Sequence, residues 1–219
     1  MPPHMQAPQA MPAGSRCAPY GALFTLFVGE LLALKWVGAR LKRARQHKRL
    51  TWEKNIRHVL KRRTQPFQDY VHAISNLNQV LPIVDIGLWC FLRLTKRRDA
   101  ARFWGVALGG AAILRRLAKA WVHRQRPAVW DRVRPRHTSS FPSGHATDTS
   151  TLFLVLLCLA WSTVWRSVVI LIGTPTILLV GLSRIALGKH YPTDILAGWL
   201  TAGVWVLGVW RTLRRQRED

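Results

Sequence analysis

Three stretches in the C-terminal half of the chain carry no charged residue: Thr149 to Trp165, Ser167 to Ser183 and Ile195 to Trp210. Arginines follow them at Arg166, Arg184 and Arg211. At about 1.5 Å per helical residue, each run covers roughly 24–26 Å of a hydrocarbon layer about 30 Å thick. The long arginine stems at the ends reach the headgroups. A buried core helix of a soluble domain rarely comes three in a row with charges only at the ends. These runs read as membrane spans.

Composition supports this reading. The 219 residues include eleven Trp, are 49% hydrophobic and carry a formal net charge of +23. So basic and so apolar a chain fits either a nucleic-acid binder or a membrane protein with basic loops. Segregation of the apolar residues into runs selects the membrane protein, with no nucleic-acid partner. Three further apolar segments lie upstream: Tyr20–Gly38, which carries Glu30 and Lys35, Asp69–Leu94, with Pro82 and Asp85, and Ala101–Ala118. The last three extend to His145–Trp165, Arg166–Leu187 and Pro192–Leu213. The expected fold is all-α, a polytopic membrane helical bundle of about six transmembrane helices. Gly105, Gly109, Gly110, Gly198 and Gly203 suit close helix approach in lipid.

Four regions follow along the chain. Residues 1–19, rich in Pro, Ala and Gln, read as a disordered leader without a signal-peptide pattern. Residues 20–66 hold the first apolar segment and a basic stretch, 67–213 the helical core, and 214–219 a basic tail. The stretch Arg40–Arg63 holds eleven Lys or Arg against one acid, Glu53. Its Leu50, Trp52, Ile56, Val59 and Leu60 recur near helical spacing, which predicts a basic amphipathic helix on anionic lipid headgroups. Cys17, Cys90 and Cys158 show no ligand spacing and read as small apolar fillers.

Three polar clusters stand at the ends of the expected spans. The first, Lys119 to Pro127, places Lys119 and Arg126 two helical turns apart on one face. Alone it is an ordinary basic flank. The second, Ser140-Phe-Pro-Ser-Gly-His145, precedes the fourth span. A helix start with a serine hydroxyl and a glycine N–H is an anion site, with His145 at its lip, or simply a capping turn. The third runs from Ser183 and Arg184 to His190 and Asp194. Pro192 fits the first helical position, so Asp194 either caps that helix or holds the His190 ring by one nitrogen. With six alternating spans, the loops after the third and fifth share a face, and the clusters converge. Lys119, Arg126 and Arg184 then surround one point with Ser143, Gly144 and two histidines. Such a concentration of cations calls for a highly charged anion, phosphate above all.

In order and spacing these clusters resemble the three-part signature of the type 2 phosphatidic acid phosphatase family, whose relatives include glucose-6-phosphatase and the vanadium haloperoxidases. The parts are Lys119, six residues, Arg126-Pro127; Pro142-Ser143-Gly144-His145; and Ser183-Arg184, five residues, His190, three residues, Asp194. The resemblance extends over about Pro66–Trp210. It implies that His190 attacks phosphorus, Asp194 orients it, and His145 serves as acid and then base. Lys119, Arg126, Ser143, Gly144 and Arg184 would hold the phosphate oxygens, with no metal and no cofactor. The implied partner is a membrane lipid phosphate, with polyprenyl (undecaprenyl-type) diphosphate favoured over phosphatidic acid or phosphatidylglycerol phosphate. A catalytically silent lipid-phosphate-binding protein is the non-enzyme alternative. The family places its site on the extracytoplasmic side of a bacterial-type inner membrane. The C-terminal arginines and Lys96-Arg97-Arg98 agree with that orientation, while Arg40–Arg63 and Arg132–Arg136 oppose it. His123 and His137 flank the motifs and read as interfacial residues without a role, the alternative being contact with a second phosphate.

Overall fold

The structure is a computed structural model that describes residues 18–46, 55, 65–127 and 139–215. Among the described residues six helices form the fold, with no strand: α1 (Ala18–Gln46), α2 (Gln65–Leu94), α3 (Arg98–Val122), α4 (Gly144–Ala160), α5 (Trp165–Ala186) and α6 (Pro192–Arg215). Each expected apolar segment corresponds to one helix. Residues 1–17 of the leader and His137 lie outside the described residues, as do most of the basic stretch and the loop around Arg132–Arg136, while Ala18 and Pro19 already belong to α1.

The helix ends differ most from expectation at two places. Arg40 to Gln46 continue α1 and do not begin a separate surface helix there. No Gly or Pro interrupts the chain after Gly38, and Lys, Arg, Leu and Ala all favour helix. At the other place α4 stops at Ala160, five residues short of Trp165. A turn follows in which Thr163 donates its hydroxyl to the Ala160 carbonyl at 2.9 Å and accepts the Trp165 N–H at 3.3 Å. Serine and threonine divert a chain in this way because their side chains compete for backbone partners. Three helices are long and apolar enough to cross a membrane unaided, within Tyr20–Ala44, Trp165–Ala186 and Pro192–Arg215, and α4 is a shorter apolar helix. The first segment, despite Glu30 and Lys35, is among the three.

Contacts along the helices fix their directions. At one end Arg102 in α3 donates to the Tyr20 hydroxyl of α1 at 2.5 Å. At the other end Gly38 of α1 meets Val122 of α3. Helices α1 and α3 therefore run the same way, and the chain alternates thereafter. The C-terminal ends of α3 and α5 and the N-terminal ends of α4 and α6 share one end of the bundle.

Lipid tails are as apolar as leucine, so these helices associate through shape more than through removal of apolar surface from water. Trp205 of α6 sits in the notch left by Gly110 of α3. Its indole N–H donates to the Ala107 carbonyl at 3.0 Å, and Phe27 of α1 meets its ring edge-on at 5.6 Å. Around this contact lie Phe103, Trp104, Leu114, Val155, Val206 and Val209, all buried. Gly198 of α6 lets α4 approach: a Cβ there would stand 3.0 Å from the Ser143 carbonyl oxygen and 3.1 Å from the Ala146 Cβ. Gly109 and Gly203, by contrast, face open space. Leu171, Ile172 and Leu200 are exposed on the outside, as a lipid-facing surface permits.

Candidate active site

The three clusters come together at the end where α3 and α5 finish and α4 and α6 begin. Helix α3 ends with His123 in the left-handed conformation, at φ 45°. Beyond it Arg124, Gln125 and Arg126 pass under the segment that leads into α4. The Ser140 N–H donates to the Arg124 carbonyl at 2.7 Å, and the Arg124 N–H donates to Ser139 Oγ at 3.0 Å. Ser143 caps α4, its hydroxyl accepting the Ala146 N–H at 3.5 Å. Its own N–H donates to the Asp194 carbonyl at 3.0 Å, which joins the second cluster to the third.

The third cluster is formed by the end of α5. Gly188, at φ 62°, turns the chain where a side chain would strain it. The freed carbonyls of α5 are used at once: Leu187 N–H donates to Ser183, Gly188 to Ile185, and Lys189 and His190 both to Arg184, at 2.9 to 3.2 Å. This places His190, 2% exposed, at the centre.

The imidazole is held from both sides. Its Nδ1 lies 2.8 Å from the Ser140 carbonyl oxygen, which can only accept, so Nδ1 carries the proton. Its Nε2 lies 3.3 Å from Arg126 Nη1, which can only donate. Arg126 Nη1 also donates to the Lys189 carbonyl at 3.0 Å. The Nε2 lone pair therefore faces a cation. Burial pushes the His190 ring down from 6.5 to about 4; Arg126 and Arg184 push the same way, and Asp194 opposes them.

Asp194 is fully buried in the first turn of α6. Its Oδ2 accepts the Tyr191 N–H at 2.9 Å and stands 3.6 Å from His190 Nδ1, beyond a hydrogen bond. The sequence allowed Asp194 either to cap its helix or to hold the His190 ring. It caps, and the ring's nearest partner is a backbone carbonyl.

Lys119 stands in the last turn of α3 with its ammonium 3.6 Å from where a Cβ on Gly144 would lie. Glycine keeps that space clear beside the α4 N-terminus. Arg184 is 4% exposed in the last turn of α5. His145, the second residue of α4, lies within electrostatic reach of Arg184, His190, Lys189 and Lys119. All eight expected site residues therefore gather at this end, which receives the N-termini of two helices. Backbone N–H groups and fixed cations together make a site for a multiply charged anion.

Two arginines here belong to no expected site position. Arg124 is buried against Asp194, with Nη1 to Oδ1 at 2.6 Å. Arg115 lies one turn before Lys119; its Nη1 is 3.2 Å from the same Gly144 position, and its Nε pairs with Asp148 at 3.1 Å. Asp148 thus has an arginine partner across the helix interface. Spacing was the available signal for Arg115, since it shares a helix face with Lys119. Arg124 had none, lying in a basic run that reads as a membrane flank.

Relatives match part of the chain, and two solved structures share its fold. The chain is 30% identical over 99 residues to phosphatidylglycerophosphatase B of Bacillus subtilis, covering 43% of this chain and 48% of that one. It is 37% identical over 75 residues to an undecaprenyl-diphosphatase of Sulfolobus acidocaldarius, covering 34% of each. It is 34% identical over 113 residues to a decaprenylphosphoryl-5-phosphoribose phosphatase of Mycobacterium tuberculosis, covering 49% of this chain and 58% of that one. The matches thus span from about a third to three-fifths of these relatives. The crystal structure of a transmembrane PAP2 type phosphatidylglycerolphosphate phosphatase from Bacillus subtilis superposes with a TM-score of 0.65 at 19% identity, over 92% of this chain and 96% of that one. Aquifex aeolicus LpxE superposes with a TM-score of 0.56 at 23% identity, over 74% and 93%. Both likenesses show the polytopic membrane fold. Residues 100–218, more than half of the chain and every residue of the site, match the PAP2 superfamily, and the chain belongs to it.

Proposed function

We propose that this protein is an integral-membrane lipid phosphatase that works through a phosphohistidine on His190. The observation that carries the reading is the held imidazole: Nδ1–H on the Ser140 carbonyl leaves the Nε2 lone pair facing Arg126 inside a ring of cations. A neutral histidine with a fixed tautomer is a nucleophile, and the cations draw a phosphate to it.

In the first step Nε2 attacks phosphorus, and an N–P bond forms as the bond to the leaving oxygen breaks. His145 donates a proton to that oxygen. In the second step His145 takes a proton from water, whose oxygen attacks phosphorus, and the N–P bond breaks to release inorganic phosphate. Lys119, Arg126 and Arg184, with the Ser143 hydroxyl and the Gly144 N–H, hold the nonbridging oxygens through both steps. The work is mostly positioning and charge stabilisation, as phosphoryl transfer requires.

The favoured substrate is a polyprenyl diphosphate, which would release phosphate and a polyprenyl monophosphate. Support comes from the site's place at the end of a lipid-facing bundle and from relatives whose names specify undecaprenyl and decaprenyl lipids. The site is proposed to face the extracytoplasmic side. At the opposite end Lys96, Arg97, Arg98, Arg166, Arg211, Arg214 and Arg215 lie exposed, which retention of positive charge in the cytoplasm favours, against Arg40, Lys42 and Arg43 exposed at the site end.

The test is phosphate release from undecaprenyl diphosphate, phosphatidic acid and phosphatidylglycerol phosphate by purified protein in detergent with EDTA. Release by the wild type, lost in His190→Ala, is expected. No release from any of the three, with both proteins alike, contradicts the reading.

A further inference from the structure

Arg124 touches all three clusters although it belongs to no motif position. It is 1% exposed. Its backbone holds Ser139 and Ser140, at 3.0 and 2.7 Å. Its Nη1 donates to Asp194 Oδ1 at 2.6 Å and to Thr193 Oγ1 at 2.7 Å, and its guanidinium lies 4.3 Å over the Tyr191 ring. An arginine that merely flanked a span would extend to the headgroups. Withdrawing one from water is costly unless charge and hydrogen bonds compensate, and both are supplied here.

The consequence falls on the nucleophile. The Ser140 carbonyl that receives His190 Nδ1–H belongs to the segment bonded to the Arg124 backbone. Asp194, on the other side of that ring, is bonded to the Arg124 side chain. We propose that Arg124 is a positioning residue for His190, clamping Asp194 and the Ser139–Ser140 segment in one frame so that Ser140 takes Nδ1–H and Nε2 points at the phosphate. The inference rests on the phosphatase reading given above.

Arg124 also tempers the charge of Asp194 toward His190. That ring is faced by Asp194 from α6, Arg184 from α5, His145 from α4 and Arg126 from the loop after α3, with Lys189 beside it in sequence. Without Arg124 the pull of Asp194 is less opposed, so the ring holds its proton to higher pH.

The experiment uses the full chain in detergent, with undecaprenyl diphosphate and dioleoyl phosphatidic acid as probes. Arg124→Gln is expected to lower kcat about 100-fold, as small misplacements of reacting groups do. KM and inhibition by inorganic phosphate should stay within about threefold, because Arg124 does not touch the phosphate. The acid limb of kcat/KM should move to higher pH. In a cycle with Asp194→Asn, the double variant should lose no more than Asp194→Asn alone, since the two residues act as one unit. Unchanged kcat, an unmoved acid limb, multiplicative losses in the cycle, or weakened phosphate inhibition in proportion to kcat would each overturn the inference. Should Arg124→Gln fail to fold, Thr193→Val removes one acceptor of the guanidinium. A smaller fall in kcat with KM unchanged supports the role, and wild-type behaviour overturns it. Wild type no better than His190→Ala overturns the phosphatase reading and this inference with it. An active wild type matched by Arg124→Gln overturns the inference alone.

Discussion

The carbonyl oxygen of Ser140 lies 2.8 Å from His190 Nδ1, closer than the Asp194 carboxylate at 3.6 Å. The proton that fixes the tautomer is therefore held by the main chain of the loop before α4, fifty residues away. The Asp194 charge acts from beyond hydrogen-bond distance.

This division predicts unequal costs. Asp194→Asn keeps the Ser140 carbonyl in place and should lower kcat about 100-fold, whereas His190→Ala should fall to background. Initial rates of phosphate release measure both. Equal losses would show that the carboxylate, and not the carbonyl, orients the ring.

Activity and stability should both depend on the protonation of His190, held down to about 4 against an ordinary 6.5. The attacking form is neutral, so kcat/KM should stay level as pH falls to 6.5 and decline only nearer 4. For stability the folded value lies below the unfolded one. Above pH 6.5 neither state binds the proton and the contribution is intact. Between 6.5 and about 4 the unfolded chain takes up a proton that the folded chain refuses, so stability falls with falling pH. Thermal melts in detergent over this window test the sign, and a rise in melting temperature on acidification would contradict it.

Close helix approach should be felt at the site. A Cβ on Gly198 would stand 3.0 Å from both the Ser143 carbonyl oxygen and Thr147 Oγ1. Gly198→Ala must push α4 away from α6 and move the Ser143 and Gly144 donors, with an expected loss of about tenfold in kcat/KM. Gly203→Ala, on the same helix with nothing within 4 Å, should behave as wild type. Kinetics of the pair decide, and equal activity would show that the approach does not govern the donors.

Much of this site was legible in the sequence because its chemistry is carried by side chains at helix ends. Runs without charge, closed by Arg166, Arg184 and Arg211, placed the spans. Lys119, Ser143, His145 and His190 fell at the ends where polar residues have no packing use. What escaped has physical reasons. The Ser140 carbonyl leaves no trace in residue identity, since every residue has one. Arg124 was hidden in a basic flank, and only burial separates it from its exposed neighbour His123. The end of α4 at Ala160 depends on a threonine hydroxyl choosing a backbone partner, which apolar periodicity does not reveal. The continuation of α1 to Gln46 shows the converse: strong helix formers carried the element past the point where its apolar character ended.

The central claim is that phosphorus becomes bonded to His190. Acid lability and alkali stability mark a phosphohistidine, so the direct measurement is a rapid base quench of protein turning over a lipid labelled at its transferable phosphate, followed by peptide mapping. Label on His190, present in the wild type, absent in His190→Ala and increased in a variant of His145 slowed in the second step, is the predicted result. Turnover in the wild type with no label on His190 at any quench time, or label on a different residue, would contradict it.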